Sequence, residues 1–235
     1  MKVNAVVVAA GKGERMAASL PKPFLPIAGA PLFIHTIQSL IRSSLIKKIV
    51  LVIAADRESL CRQLLEQHGP CPIPLTLVHG GSERQDSVRL GLAALEPDCD
   101  IVVIHDAARP FISAEIIDHS IAIAAEYGGA LVAVPARDTI KRVDKQQIVI
   151  GTVPRQDLWL AQTPQTFRVE VIREAHSRAV ASGITATDDA ALLEWAGGQI
   201  KIVSGDIRNF KITTPEDLRL AETLLRVSSG TVEDK

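Results

Sequence analysis

Chemistry-bearing residues crowd the first twenty-four positions. An apolar run, Ala5 to Ala10, leads into Gly11-Lys12-Gly13-Glu14-Arg15-Met16, and Pro21-Lys22-Pro23-Phe24 follows. Small residues after a buried strand let backbone N–H groups approach phosphate oxygens, while Lys and Arg supply positive charge. That is the chemistry of a nucleoside triphosphate site. Two familiar phosphate loops are excluded. A dinucleotide fold wants a third glycine where Met16 stands and an acid about 20 residues on, whereas the first candidate, Asp56, comes too late. An ATPase-type loop ends in Gly-Lys-Ser/Thr, and here Lys12 is followed by Gly13.

A second polar cluster, Gly80-Gly81-Ser82-Glu83-Arg84-Gln85-Asp86-Ser87-Val88, follows a strand and opens a helix. Amides at a helix N-terminus suit an anion or the polar edge of a base; the same stretch could equally be an ordinary turn capped by Ser82. The third cluster, His105-Asp106-Ala107-Ala108-Arg109-Pro110, follows the apolar run Ile101–Ile104. A carboxylate at a strand's carboxyl end, beside a phosphate loop, suits Mg²⁺, which takes few protein carboxylates and completes its shell with phosphate and water. Asp106 is therefore the expected metal ligand, with helix capping as its plain alternative, and His105 reads as structural. Later polar positions are weaker one by one: Asp138-Thr139, Arg155, Gln162-Thr163-Pro164-Gln165, Thr187-Asp188-Asp189, Gly205-Asp206 and Asn209. Thr187 could simply cap a helix starting at Asp188. Lys211 stands between Phe210 and Ile212 in a strand-like pattern that could aim it into a cleft. No Ser-His-Asp order, zinc-protease motif or kinase signature is present, and the remaining histidines are dispersed.

The elements that must position these groups alternate. Apolar runs at Val3–Ala10, Ile49–Ala54, Leu75–His79, Ile101–Ile104, Ala130–Val134 and Ile200–Val203 read as strands. Helical periodicity marks Leu32–Ser43, Glu58–His68, Arg84–Leu95, Ala114–Glu126, Val169–Ser182, Asp188–Ala196 and Pro215–Leu225, the last capped by Thr214. Strands without polar alternation are buried on both faces, so the fold class is α/β. We expect a three-layer, doubly wound, mostly parallel sheet of Rossmann-like type, with ligands at the strands' carboxyl ends. One stretch breaks the rhythm. Ile140–Val143 and Ile148–Val153 flank a polar turn and read as a protruding β-hairpin, which needs something to pack on; a second subunit is the candidate.

Composition agrees. The 235 residues read as one domain over 1–235 with an arm at about 137–153, and no linker or repeat divides them. A net charge of −1 argues against a nucleic-acid surface. Cys61, Cys71 and Cys99 make neither a disulfide framework nor a zinc set, which suggests reduced thiols in the cytoplasm. No segment has the length of a membrane helix, and the N-terminal run is too short for a signal peptide.

Taken in order, the clusters resemble one family, the 2-C-methyl-D-erythritol 4-phosphate cytidylyltransferases of the non-mevalonate isoprenoid pathway. The similarity runs from Ala9 to about Asp217. It rests on Ala9-Ala10-Gly11-x-Gly13-x-Arg15-Met16, Pro21-Lys22, Gly80-Gly81-x-x-Arg84-x-x-Ser87-Val88, His105 to Pro110, Asp138-Thr139-Ile140-Lys141, Gln162 to Gln165, Thr187-Asp188-Asp189 and Lys211-Ile212-Thr213. Pro23 stands where many members carry Gln. The resemblance implies that Ala9, Ala10, Gly11, Gly13, Arg15 and Lys22 hold CTP and its triphosphate, and that Gly80, Gly81 and Ser87 read cytosine. It implies Asp106 on Mg²⁺ and the sugar, with Ala107, Thr163, Thr187 and Lys211 lining the methylerythritol phosphate site. Arg15, Lys22 and Lys211 would be the catalytic cations. It further implies a homodimer whose exchanged arm brings Arg109, Thr139 and Arg155 to the neighbouring site. Rival readings are a pentitol phosphate (ribitol 5-phosphate) cytidylyltransferase, a sugar-1-phosphate nucleotidyltransferase, and a catalytically silent nucleotide-binding module.

Overall fold

A computed structural model describes residues 1–11 and 20–228. Gly13 and Arg15 lie outside the described residues. The chain runs β1 (Val3–Val8), β2 (Pro26–Ile27), β3 (Ala30–Pro31), α1 (Leu32–Leu40), β4 (Ile46–Ile53), α2 (Glu58–Gln67), β5 (Leu75–His79), α3 (Arg84–Ala93) and β6 (Ile101–Asp106). It continues through α4 (Ala114–Tyr127), β7 (Gly129–Pro135), β8 (Ile140–Val143), β9 (Val149–Val153), β10 (Trp159–Arg168), α5 (Val169–Ser182), α6 (Asp189–Trp195), β11 (Lys201–Ser204) and α7 (Pro215–Ser228). The main sheet has the order β11-β7-β10-β6-β1-β4-β5. All its neighbours pair parallel except β10, which is antiparallel to both β6 and β7.

Two buried layers sandwich this sheet. Val3, Ala5 and Val7 of β1 face α1, α2 and α4 through Phe33, Ile37, Cys61, Ile117 and Ile121. Val6 faces the other side, against Val88 and Leu92 of α3, Ile172 of α5 and Leu193 of α6. Successive strand side chains point to opposite faces, so an uninterrupted apolar run is what a strand covered on both sides requires. The expected three-layer, doubly wound, mostly parallel architecture is the one observed. A smaller cluster of Ile27, Leu32, Ala108, Ile212 and Ala221 seats α7. The start of α7 is capped as its Thr-Pro sequence predicts. The Thr214 hydroxyl accepts from the Asp217 amide at 3.2 Å, and the Asp217 carboxylate reaches back to the Thr214 amide at 2.8 Å. Among the described residues no helix is long and apolar enough to cross a membrane.

One difference from the sequence reading matters for the site. Strand β10 falls where the apolar-run pattern predicts none, because Gln162-Thr163-Pro164-Gln165 is polar and carries a proline. The structure accommodates it with a break in register between Ala161 and Gln165, which lifts those residues off the β7 ladder. A bulge is where a proline is tolerated inside a sheet; the Thr163–Pro164 bond is cis. The hairpin was expected and is present: β8 and β9 pair antiparallel as a separate two-stranded sheet.

The order of winding makes the site. From β1 the chain moves outward to β4 and β5, then crosses back to β6 on the other side of β1. The carboxyl ends of β1 and β6 therefore open a crevice at a topological switch point, with Val8 beside Asp106.

Candidate active site

Three loops converge on that crevice. The Ala9 amide donates to Val52 O at 2.7 Å, the Gly80 amide to Ile53 O at 2.8 Å, and the Ala107 amide to Val8 O at 3.1 Å. The first two loops touch. A Cβ on Gly80 would lie 2.5 Å from the Ala10 Cβ and 2.7 Å from the Ser87 Oγ, so only glycine allows this approach. Ser87 Oγ accepts from the Gly81 amide at 3.2 Å and donates to Glu83 O at 3.1 Å. The alternative of Ser82 as the cap of α3 is not what forms: Glu83 occupies the cap position, and Ser82 donates to Asp86 at 3.1 Å. Lys22 is largely buried, in a 3₁₀ turn pinned by Phe24 against Phe33 at 5.4 Å between ring centroids.

Asp106 is the electrostatic centre. Lys211 Nζ lies 2.8 Å from its Oδ2, Arg109 Nε 3.7 Å from the same oxygen, and Arg84 Nε 3.5 Å from Oδ1. Burial alone would raise the Asp106 carboxyl, but Lys211, Arg84 and Arg109 outweigh it and hold it well below the usual carboxylate range. Asp106 is thus a fixed anion. Arg84 is itself anchored: its guanidinium lies 2.8 Å from Asp189 Oδ2, and the other Asp189 oxygen faces His176 Nε2 at 3.3 Å. Burial opposes both charges, yet Arg84 rises above its ordinary value and Asp189 falls below its own, because each offsets the other's loss of water.

His105 is scaffolding. Burial pushes it down to about 4, so the ring is neutral at pH 7. Its Nε2 faces the Arg109 carbonyl at 3.0 Å and must donate, which leaves Nδ1 to accept from the Thr163 hydroxyl at 3.0 Å. Thr163 Oγ1 in turn accepts the Asp106 amide at 3.0 Å. One directed relay therefore joins Arg109, His105, Thr163 and Asp106.

The structure brings together Ala9, Ala10, Gly80, Gly81 and Ser87 on one side and Asp106, Ala107, Arg109, Thr163 and Lys211 on the other. Gly11 follows on the first loop and is exposed. The Arg109 guanidinium is folded onto its own chain, donating to Asn209 O at 2.7 Å and facing Asp106 Oδ2 at 3.7 Å. Thr187 is exposed and does not cap α6; Asp188 does, accepting the Ala191 amide at 2.9 Å. Thr139 and Arg155 stay apart, exposed on the arm and the segment after it, where Arg155 donates to the Arg137 carbonyl. Missing from the expected set is Arg84, although its position after Gly80-Gly81 at the start of a helix was visible. Its partner Asp189 lies 105 residues away, beyond any local pattern.

Among the described residues no cluster of three or more His, Cys, Asp or Glu could hold a metal. The donor chemistry still fits Mg²⁺, which binds through one or two carboxylates together with substrate phosphates; Asp106 supplies one ionised oxygen donor.

A doubly wound α/β sheet with a glycine-lined cleft and a cation-ringed carboxylate at its switch point defines a nucleotidyltransferase. The family model of 2-C-methyl-D-erythritol 4-phosphate cytidylyltransferase matches residues 3–227, and the chain belongs to that family. It is 47% identical over 230 residues to the enzyme of that name from Geobacter metallireducens, covering 96% of this chain and 98% of the relative. It is 44% identical to that from Pelotomaculum thermopropionicum, covering 97% and 96%. Among solved structures, 4-diphosphocytidyl-2C-methyl-D-erythritol synthase from Anaerococcus prevotii superposes with a TM-score of 0.83 at 30% identity, covering 96% of this chain and 98% of that one. The Thermus thermophilus cytidylyltransferase gives a TM-score of 0.80 at 31% identity, covering 96% and 100%.

Proposed function

We propose that this enzyme transfers the cytidylyl group of CTP to 2-C-methyl-D-erythritol 4-phosphate. The products are 4-diphosphocytidyl-2-C-methyl-D-erythritol and pyrophosphate, in non-mevalonate isoprenoid precursor biosynthesis. The observation that carries this reading is the cluster of Lys211, Arg84 and Arg109 around Asp106 at the switch point. The relatives' names favour methylerythritol phosphate over a pentitol phosphate.

The chemistry needs charge management more than proton transfer. A phosphate-monoester oxygen of the polyol attacks the α-phosphorus of CTP; the new P–O bond forms as the bond to pyrophosphate breaks. The second pKa of such a phosphate is about 6, so the nucleophile is already ionised at neutral pH and no general base is required. Two polyanions must meet, and positioning with charge neutralisation lowers the barrier. In this reading Gly80, Gly81 and Ser87 offer backbone and hydroxyl groups to cytosine. Lys22 and Arg15 take the triphosphate. Lys211, on a partly exposed side chain, turns from Asp106 to the reacting phosphate. Asp106 would hold Mg²⁺, which supplies Lewis-acid neutralisation of the phosphates when bound.

The arm is the proposed dimer contact. Ile148, Val149 and Ile150 leave large apolar side chains exposed on a two-stranded sheet that is marginal alone, and a second copy of the chain would cover them. In this reading Thr139 and Arg155 would act at the neighbour's site. A cytoplasmic location fits three free cysteines.

The test is pyrophosphate release from CTP and Mg²⁺ with methylerythritol 4-phosphate, beside ribitol 5-phosphate as rival acceptor and ATP, GTP and UTP as rival donors. Turnover confined to CTP and methylerythritol phosphate is expected. Turnover with ribitol phosphate instead overturns the substrate, and none with any pair overturns the activity.

A further inference from the structure

Asn209 is fully buried, touches no solvent, and lies at the meeting point of three segments that carry site residues. Its side-chain amide donates to Thr163 O at 2.8 Å and to Gln162 Oε1 at 3.1 Å. Its carbonyl accepts from Arg109 at 2.7 Å. Its own amide donates to Asp206 O at 3.0 Å, and Gln162 Nε2 donates to the same carbonyl at 2.9 Å. Two residues on, Lys211 reaches Asp106, and the Ile212 amide between strand and α7 donates to Ala108 O at 2.9 Å.

These contacts meet a specific need. The β10 bulge removes Gln162 to Pro164 from the sheet ladder. A buried carbonyl without a ladder partner requires another donor. Asn209 is that donor for Thr163, whose hydroxyl then fixes the amide of Asp106. The segment is seated closely: a Cβ on Gly205 would lie 2.5 Å from Gln162 Oε1. Two alternatives for these atoms fail. The side chain is too buried to reach a substrate, and the Asn209 Oδ1 has no hydrogen-bond partner, so the residue is used through its two donated hydrogen bonds.

We infer that Asn209 is a positioning residue, which sets Lys211 and Arg109 on Asp106 by tying residues 205–212 to the β10 bulge. It acts on the acceptor-phosphate side of the site and leaves the Gly80–Ser87 loop untouched. The inference rests on the proposed cytidylyltransfer. Misplacing a catalytic group by about 1 Å costs on the order of 100-fold in rate.

The experiment compares Asn209→Ala and Asn209→Ser with the wild type in the pyrophosphate assay, with CTP binding measured by calorimetry. We expect Asn209→Ala to lower kcat/KM for methylerythritol phosphate by about 100-fold, with CTP affinity within threefold of wild type, and Asn209→Ser, which keeps one donor, to fall between. The decisive readout is coupling. In a Lys211→Ala background, adding Asn209→Ala should cost less than about tenfold, because a displaced lysine can be lost only once. Fully multiplying losses, or an Asn209→Ala enzyme within threefold of wild type, overturns the inference. If Asn209→Ala does not fold, Gln162→Ala removes one of its two acceptors; it should show the same pattern at smaller size, and an unchanged kcat/KM there counts against the role. An inactive wild type would instead indict the cytidylyltransfer reading.

Discussion

The switch-point cluster and the β8–β9 arm solve the placing of polar and apolar groups in opposite ways. Asp106 is a tenth exposed and has three cations within 3.7 Å, one of them held by a second buried acid. On the arm, Ile148 is 63% and Ile150 60% exposed, and Thr139 and Arg155 are exposed as well. One region satisfies itself within the chain. The other presents apolar surface that the described residues leave exposed. The contrast teaches that half of the site is held together by the chain's own ion pairs, whereas the arm, in the proposed dimer, would take its role from what it docks on.

The largest effect should come from breaking the ion-paired half at its root. Asp189→Ala leaves Arg84 facing a gap beside buried His176 and removes the charge that offsets its desolvation. Losing one partner of such a buried pair costs roughly 3–5 kcal/mol. Denaturant unfolding should show that loss, and a change below about 1 kcal/mol would mean that Asp106 and solvent already suffice for Arg84.

The next test works across the two regions. Lys22→Ala alone should lower kcat/KM by a factor of hundreds, since one lost donor to developing charge costs roughly 3–4 kcal/mol. Arg155→Ala should be inactive for a different reason, the loss of the arm's contribution to a neighbouring site. Mixed and allowed to exchange, the two inactive proteins form hybrid dimers with one site that has both residues. Random exchange predicts about a quarter of wild-type activity in a two-fold dimer. No recovery, with exchange demonstrated by mass, would show that Arg155 serves its own chain.

The same contrast explains what the sequence could reveal. Strands β1, β4 and β6 are legible because a strand covered on both faces must be apolar throughout. Asp106 is legible because it ends such a strand beside a glycine-rich loop. The hairpin is legible from two β-branched runs around a polar turn. Strand β10 is not. Its polar residues are satisfied by partners from distant segments: Gln165 donates to Asp188 and accepts from the Asp189 amide, and Thr163 relies on Asn209. Periodicity does not register partners of that kind. Arg84 was visible as a motif residue, yet its pairing with Asp189 exists only after α3 and α6 pack on the same face. The contacts of Arg109 were equally out of reach: its guanidinium meets Asn209, 100 residues away, as well as Asp106.

The smallest predicted effect is the most pointed about the arm. Lys141 Nζ donates to Thr152 Oγ1 at 2.7 Å across β8 and β9, the one side-chain bond joining the two strands among those described. If the arm held itself together, this bond would matter. Thr152→Val removes it while keeping a β-branched residue of nearly the same shape. An exposed cross-strand pair contributes roughly 0.2–1 kcal/mol, so a self-sufficient hairpin, marginal to begin with, would loosen and activity would fall with it. If docking on a second subunit orders the arm instead, that docking outweighs the lost bond. We expect kcat/KM within twofold of wild type and an unchanged dimer by sedimentation. A tenfold loss of activity would mean that the arm is ordered from within, and that its exposed isoleucines are not what sets its position.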